Sequence, residues 1–148
     1  MATQVNPVEY DRLLSCLMEE NVQWVRKAPV LMFSVTKLHF DRNGTENRHA
    51  FHDVGMATEN LVIQAIALGL FAHQMAEFYL DKARELFNIP SGYEPVTAIA
   101  LGYLGDPQTL PEQLRERELA PRTRKPLAEF VFTGSWGQTS PLAAIQDA

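Results

Sequence analysis

At 148 residues, with 46% of them hydrophobic, the chain has the length of one domain and enough apolar content to bury a core, which argues against disorder. A formal net charge of −5 argues against a nucleic-acid binder. A single cysteine, Cys16, excludes an internal disulfide and fits a reducing compartment, so a cytoplasmic protein is expected.

No charged stretch followed by an apolar one opens the sequence, so no signal peptide is expected. Asn6-Pro7 reads as a helix start, a cap residue followed by proline at the first helical position. Tyr10, Leu13, Leu14 and Leu17 then recur at offsets of three and four, and Cys16 falls inside that pattern as a core thiol. A second short helical piece, EENVQWVRKA, ends at Ala28-Pro29. The run VLMFSV, residues 30–35, predicts an interior strand. Residues 39–48, HFDRNGTENR, predict an exposed loop turning at Asn43-Gly44.

The next stretch, FHDVGMATENLVIQAIALGLFA over residues 51–72, is apolar nearly all round a helical wheel, which predicts a buried helix. Asp53, Asn60 and Gln64 interrupt it in one row, and that row should meet something polar. Those interruptions leave no run of about 18 apolar residues, so a membrane span is not expected. A short strand at residues 71–74, a helix over 81–88 stopped by Pro90, and a strand over 95–104 follow. From Asp106 the character changes. DPQTLPEQLRERELAPRTRKP holds prolines 107, 111, 121 and 126, which forbid a long helix and leave room for one short helix over 111–118. Residues 122–124 should be extended, and the apolar tail with Phe130, Phe132 and Trp136 must dock on its own domain or on a partner.

Three groups could carry chemistry. Arg122 and Arg124, two apart in an extended segment, would present parallel guanidinium forks suited to a phosphate monoester; the same pair also reads as a solvated basic strip answering Glu116 and Glu118. His49, His52 and Asp53 place two imidazoles at i and i+3, where they could share a metal, but the cluster is favoured as the first turn of a helix. Gln74, Met75, Ala76 and Glu77 lie between a short strand and a helix, where a turn exposes backbone amides to a flat ligand. No catalytic triad, P-loop or GxGxxG is present.

The blocks NRHAFHDVGMATENLVIQAIALGL, HQMAEF and LPEQLRERELAPRTRKPLAEFVFTGSWG, in this order, resemble the nitroreductase family of flavoproteins. The resemblance runs from Glu9 to Gly137. It implies an α+β fold, a central mostly antiparallel sheet flanked by helices, in a single domain over residues 1–148 whose residues 117–148 form an extended C-terminal arm. It implies an intertwined homodimer, with the long helix packed on its twin, two FMN molecules at the subunit interface, and the arm embracing the other subunit. The implied reaction passes a hydride from NAD(P)H via FMN to a nitroaromatic, quinone or similar acceptor; no catalytic side chain is required, because the cofactor carries the chemistry. By position, Arg122 and Arg124 would hold the FMN phosphate, and Gln74, Met75, Ala76 and Glu77 would face the flavin ring, with the Ala76 amide toward N5 and the Glu77 amide toward O4.

Two departures are visible. Glu77 stands where the family usually has glycine, which would be strained if that position needs a positive φ. The family's front segment, an Arg-x-Ser-x-Arg type helix and loop and a loop with Pro and Asn, has no counterpart here, so residues 1–4 read as the last remnant of an interior strand. The alternative to the enzyme is therefore a flavin-poor, non-enzymatic dimeric remnant of the family.

Overall fold

The computed structural model describes residues 1–143. These residues fall into two compact units, one of Met1–Asp106 and one that begins at Pro107. The boundary coincides with the proline-rich change of character.

In the first unit, α1 (Pro7–Leu14) starts where the Asn6 side chain accepts from the Glu9 amide at 3.4 Å and Pro7 takes the first turn. Its apolar spacing puts Tyr10 and Leu13 inward. α2 (Glu19–Val25) buries Val22 and Val25. The antiparallel sheet has the order β1-β2-β4-β3, with β1 (Ala2–Thr3), β2 (Val30–Lys37), β3 (Phe71–Met75) and β4 (Tyr93–Gly102). The 30–35 strand is thus interior as expected, while residues 1–4 contribute a two-residue strand at one edge. β2 and β4 pair from Val30↔Leu101 to Lys37↔Tyr93, with an irregularity between Ser34 and Val35. Gly102 ends β4 against Pro29. A Cβ there would come within 2.6 Å of the Pro29 ring, so only glycine fits the close approach.

One face of the sheet carries the main core. Leu31, Met75, Ala98 and Ala100 meet Tyr10, Leu13, Leu17, Val22 and Val25, and Phe33, Phe78 and Phe87 close its side. Full burial of leucines such as Leu13 and Leu31 contributes about 1.5–3 kcal/mol each. α4 (Leu80–Leu86) follows Phe78 and ends at Phe87, with Ala83 buried beneath it. Ile99, buried between Ala98 and Ala100 in sequence, points to the other face.

On that other side α3 (Ala50–Ala67) packs across β2 and β3. It ends in a Schellman closure, since Gly69 has a φ of +76° while the Gly69 and Leu70 amides donate to the Ile66 and Ala65 carbonyls. The helix is not buried all round. Ala50, Thr58 and Ala65 form its one buried stripe; Phe51, Met56, Ile63 and Ile66 are more than half exposed, and Asp53, Asn60 and Gln64 also face solvent. The reason is geometric: the sheet covers one side of the helix, through β2 and β3, and within the first unit the opposite side stays exposed.

In the second unit, a 3₁₀ turn at Pro107–Thr109 precedes α5 (Glu112–Leu119), which buries none of its residues, and another turn at Leu127–Glu129 leads into the tail. There Phe132 and Trp136 rings approach to 5.1 Å, the Ser140 amide donates to Val131 at 3.1 Å, and Ser140 and Ala143 are buried.

Candidate functional site

The site grows from the open edge of the sheet. Among the described residues β3 pairs only with β4, from Phe71↔Gly102 to Met75↔Ala98. Pairing fixes side-chain direction, so Met75 is buried in the core while Gln74, opposite Ile99, is exposed. Met75 therefore anchors the strand end, and any ligand would meet its backbone only. Beyond it the chain leaves the ladder, and Ala76 and Glu77 are exposed.

Two contacts tie this loop to the helical layer. Phe78 forms an isolated antiparallel bridge with Leu17, in which the Tyr79 amide donates to the Cys16 carbonyl at 2.8 Å. The Asn21 side-chain amide, on α2, donates to the Glu77 carbonyl at 3.3 Å. By contrast, the backbone amides of Ala76 and Glu77 donate to no other described residue. Two successive backbone donors are thus free on a loop whose flanks are held, an arrangement that can bind adjacent acceptors on the edge of a planar heterocycle. The expectation of strain at Glu77 is not met. Among the described non-glycine residues only Asn88 has a positive φ, at 50°, in the closure of α4.

Cys16 lies directly behind the loop and is fully buried. Burial pushes its thiol pKa up, against the opposing pull of Lys82, the Ser15 hydrogen bond and Arg12, as fits a core thiol.

Arg122 and Arg124 belong to the second unit and are both exposed, on backbone without regular structure; Arg124 donates to the Thr123 carbonyl at 2.7 Å. The loop donors and the two arginines are thus described on separate units. His49, His52 and Asp53 are exposed around the start of α3, where the His49 amide donates to the Asn47 side chain and Asn47 in turn to Asp53. The cluster spans the N-cap and first turn of α3, with Asp53 in that turn; among the described residues no group of three His, Cys, Asp or Glu could hold a metal. Trp24 packs edge-on against His73 at 4.6 Å, whereas Trp136 is almost wholly exposed. Asn21 is the residue that sequence reasoning missed. A side chain bonding to a main-chain carbonyl 56 residues away leaves no pattern in spacing or composition.

Among the described residues no helix is long and apolar enough to cross a membrane. Residues 3–103 match the model of the Nitroreductase family. The matched segment contains 74–77 and stops before the arginine pair. A solved structure described as an oxidoreductase containing FMN superposes with a TM-score of 0.85 at 31% identity, covering 93% of this chain and 70% of its own. A nitroreductase family protein from Clostridium difficile 630 superposes at 0.55 with 25% identity, covering 75% and 62%. The 15.4 kDa protein in the ask 5'region of Mycolicibacterium smegmatis is 42% identical over 90 residues, or 61% of this chain. The chain spans 60% of the length of that relative. With the α+β sheet, the ordered sequence blocks and a family match over more than half its residues, the chain belongs to the nitroreductase family.

Proposed function

We propose that the chain is an FMN-dependent oxidoreductase that works as a homodimer in the cytoplasm. The observation that carries the reading is the pair of free amides at Ala76 and Glu77, at the exposed end of an edge strand inside the family-matched segment. The likeness to an FMN-containing oxidoreductase supports the same cofactor. When bound, FMN supplies the redox chemistry, with a hydride entering from NAD(P)H and electrons leaving to a nitroaromatic, quinone or similar acceptor.

The chain's own part is positioning. The Ala76 and Glu77 amides would donate to the ring edge at N5 and O4, and Met75 keeps them in place by burying its side chain in the core. Gln74 would border the ring from the strand end. Arg122 and Arg124 would pair with the phosphate as charge-assisted donors. The exposed apolar side of α3, with Phe51, Met56, Ile63 and Ile66, supports self-association, because a helix face of that kind loses water contact when a second copy covers it. The lone buried thiol suits a reducing compartment.

A second reading, a dimeric module that holds flavin poorly and has no activity, is favoured by the exposure of both arginines. Titration of the purified 148-residue protein with FMN separates the two. Quenched flavin fluorescence and bleaching of the bound flavin's blue absorption by NAD(P)H are expected for the oxidoreductase. A colourless protein that leaves added FMN fluorescent overturns it in favour of the second reading.

A further inference from the structure

We infer that Asn21 is a positioning residue for the flavin-ring loop; the inference rests on the FMN reading. Two contacts hold the loop from behind, and one of them, the Leu17–Phe78 bridge with its bond from Tyr79 to Cys16, is made by backbone. The second comes from a side chain. Asn21 Nδ2 donates to the Glu77 carbonyl at 3.3 Å, across 56 residues of sequence. That carbonyl belongs to the residue whose own amide is free, and the next residue is already fixed by the bridge to Leu17.

Asn21 therefore acts on the one peptide between the free donors and the anchored part of the loop. Holding the Glu77 carbonyl restricts rotation about the Glu77 backbone, so the donors at Ala76 and Glu77 keep one arrangement before a ligand arrives. Preorganisation of this kind raises affinity by lowering the ordering cost on binding. The platform beneath is firm. Asn21 is half-buried on α2, between Glu20 and the buried Val22, and α2 packs into the main core through Val22 and Val25. Beside the buried Met75 and the backbone bridge at Phe78, Asn21 thus adds a replaceable side-chain link between the helical layer and the ring donors.

The test compares riboflavin with FMN, since riboflavin offers the ring without the phosphate. Asn21→Ala should weaken both ligands by a similar factor, about three- to tenfold, the loss expected for one hydrogen bond. It should also shift the midpoint potential and the absorption bands of the residual complex, because a looser loop changes donation to the ring. Asn21→Gln, which keeps an amide donor, should recover part of the affinity. Thermal unfolding of the apoprotein should change little, because the bond lies at an exposed position. Unchanged riboflavin affinity in Asn21→Ala, with the wild type binding normally, overturns the inference alone. An equal loss in Asn21→Gln and Asn21→Ala, with the apoprotein unfolding earlier in both, also overturns it, leaving Asn21 a mere stabiliser of α2. A wild-type protein that binds neither riboflavin nor FMN overturns the FMN reading and this inference with it.

Discussion

The two units of the chain differ in how they use their apolar residues. The first buries Leu13, Val25, Leu31 and Ile99 at 2% exposure or less and wraps them with a sheet and helices. The second carries a helix with no buried residue and leaves Phe130 and Trp136 more than half exposed, with Trp136 at 93%. The first unit thus carries a packed core, although it too leaves the outer side of α3 exposed, while the second displays large aromatic rings that its own described residues do not cover. The difference teaches that the core of the first unit is built by one chain, whereas the outer side of α3 and the aromatic rings of the second unit leave apolar surface that a second copy would cover if the proposed homodimer forms.

The sharpest way to break this comparison is by truncation of one side chain in each unit. Leu13→Ala should cost about 2–5 kcal/mol of unfolding free energy, since it removes a 2%-exposed side chain from a packed core. Trp136→Ala should change the stability of dilute protein by no more than about 0.5 kcal/mol, as surface substitutions do, while weakening self-association. Chemical denaturation measures the first quantity, and sedimentation across a concentration series measures the second. Comparable unfolding losses from both substitutions would show that the second unit is as well packed as the first.

A smaller effect sharpens the division of labour between the units. Arg122→Ala combined with Arg124→Ala should weaken FMN binding about ten- to a hundredfold, the scale of losing charge-assisted bonds worth roughly 1.5–3 kcal/mol. Riboflavin binding should be unaffected, because the loop at Ala76 and Glu77 would contact the ring and not the phosphate. Isothermal titration with the two ligands decides. A parallel loss of riboflavin would remove the arginines from a phosphate role. Retention of FMN at full affinity would leave them as the solvated strip that Glu116 and Glu118 also allow.

Much of the first unit was legible in the sequence for local reasons. Asn6-Pro7 announced α1 because capping chemistry is contained within four residues. VLMFSV announced β2, and the 95–104 run announced β4, because a strand in the middle of a sheet is apolar on both faces. The helix stopped by Pro90 was found within a residue or two of α4. The burial of α3 was not legible. An all-round apolar pattern states that both sides of a helix avoid water, but not whether its own chain or another covers the second side. The donor loop was legible as a turn after a strand, and its choice as a flavin contact came from the resemblance. The Asn21 bond was invisible for the reason that a carbonyl acceptor is the same in every residue.

The smallest effect concerns Glu77, and it turns on a conformational detail. Glycine at this position would be an advantage if the backbone were left-handed there, but Glu77 does not have a positive φ. Glu77→Gly therefore relieves no strain in the free protein, and it adds backbone freedom that must be lost again on binding. What remains in its favour is the removal of a carboxylate beside an electron-rich ring. That contribution is modest at an exposed position, about two- to fivefold in affinity, and it should fade as salt rises. Glu77→Gln removes the charge without loosening the chain, so it should bind riboflavin more tightly than either the wild type or Glu77→Gly. A ranking with the glycine variant on top, insensitive to salt, would mean that the loop turns left-handed when the ring arrives. In that case the Asn21 bond to the Glu77 carbonyl would have to break on binding, and Asn21→Ala would strengthen the complex instead of weakening it.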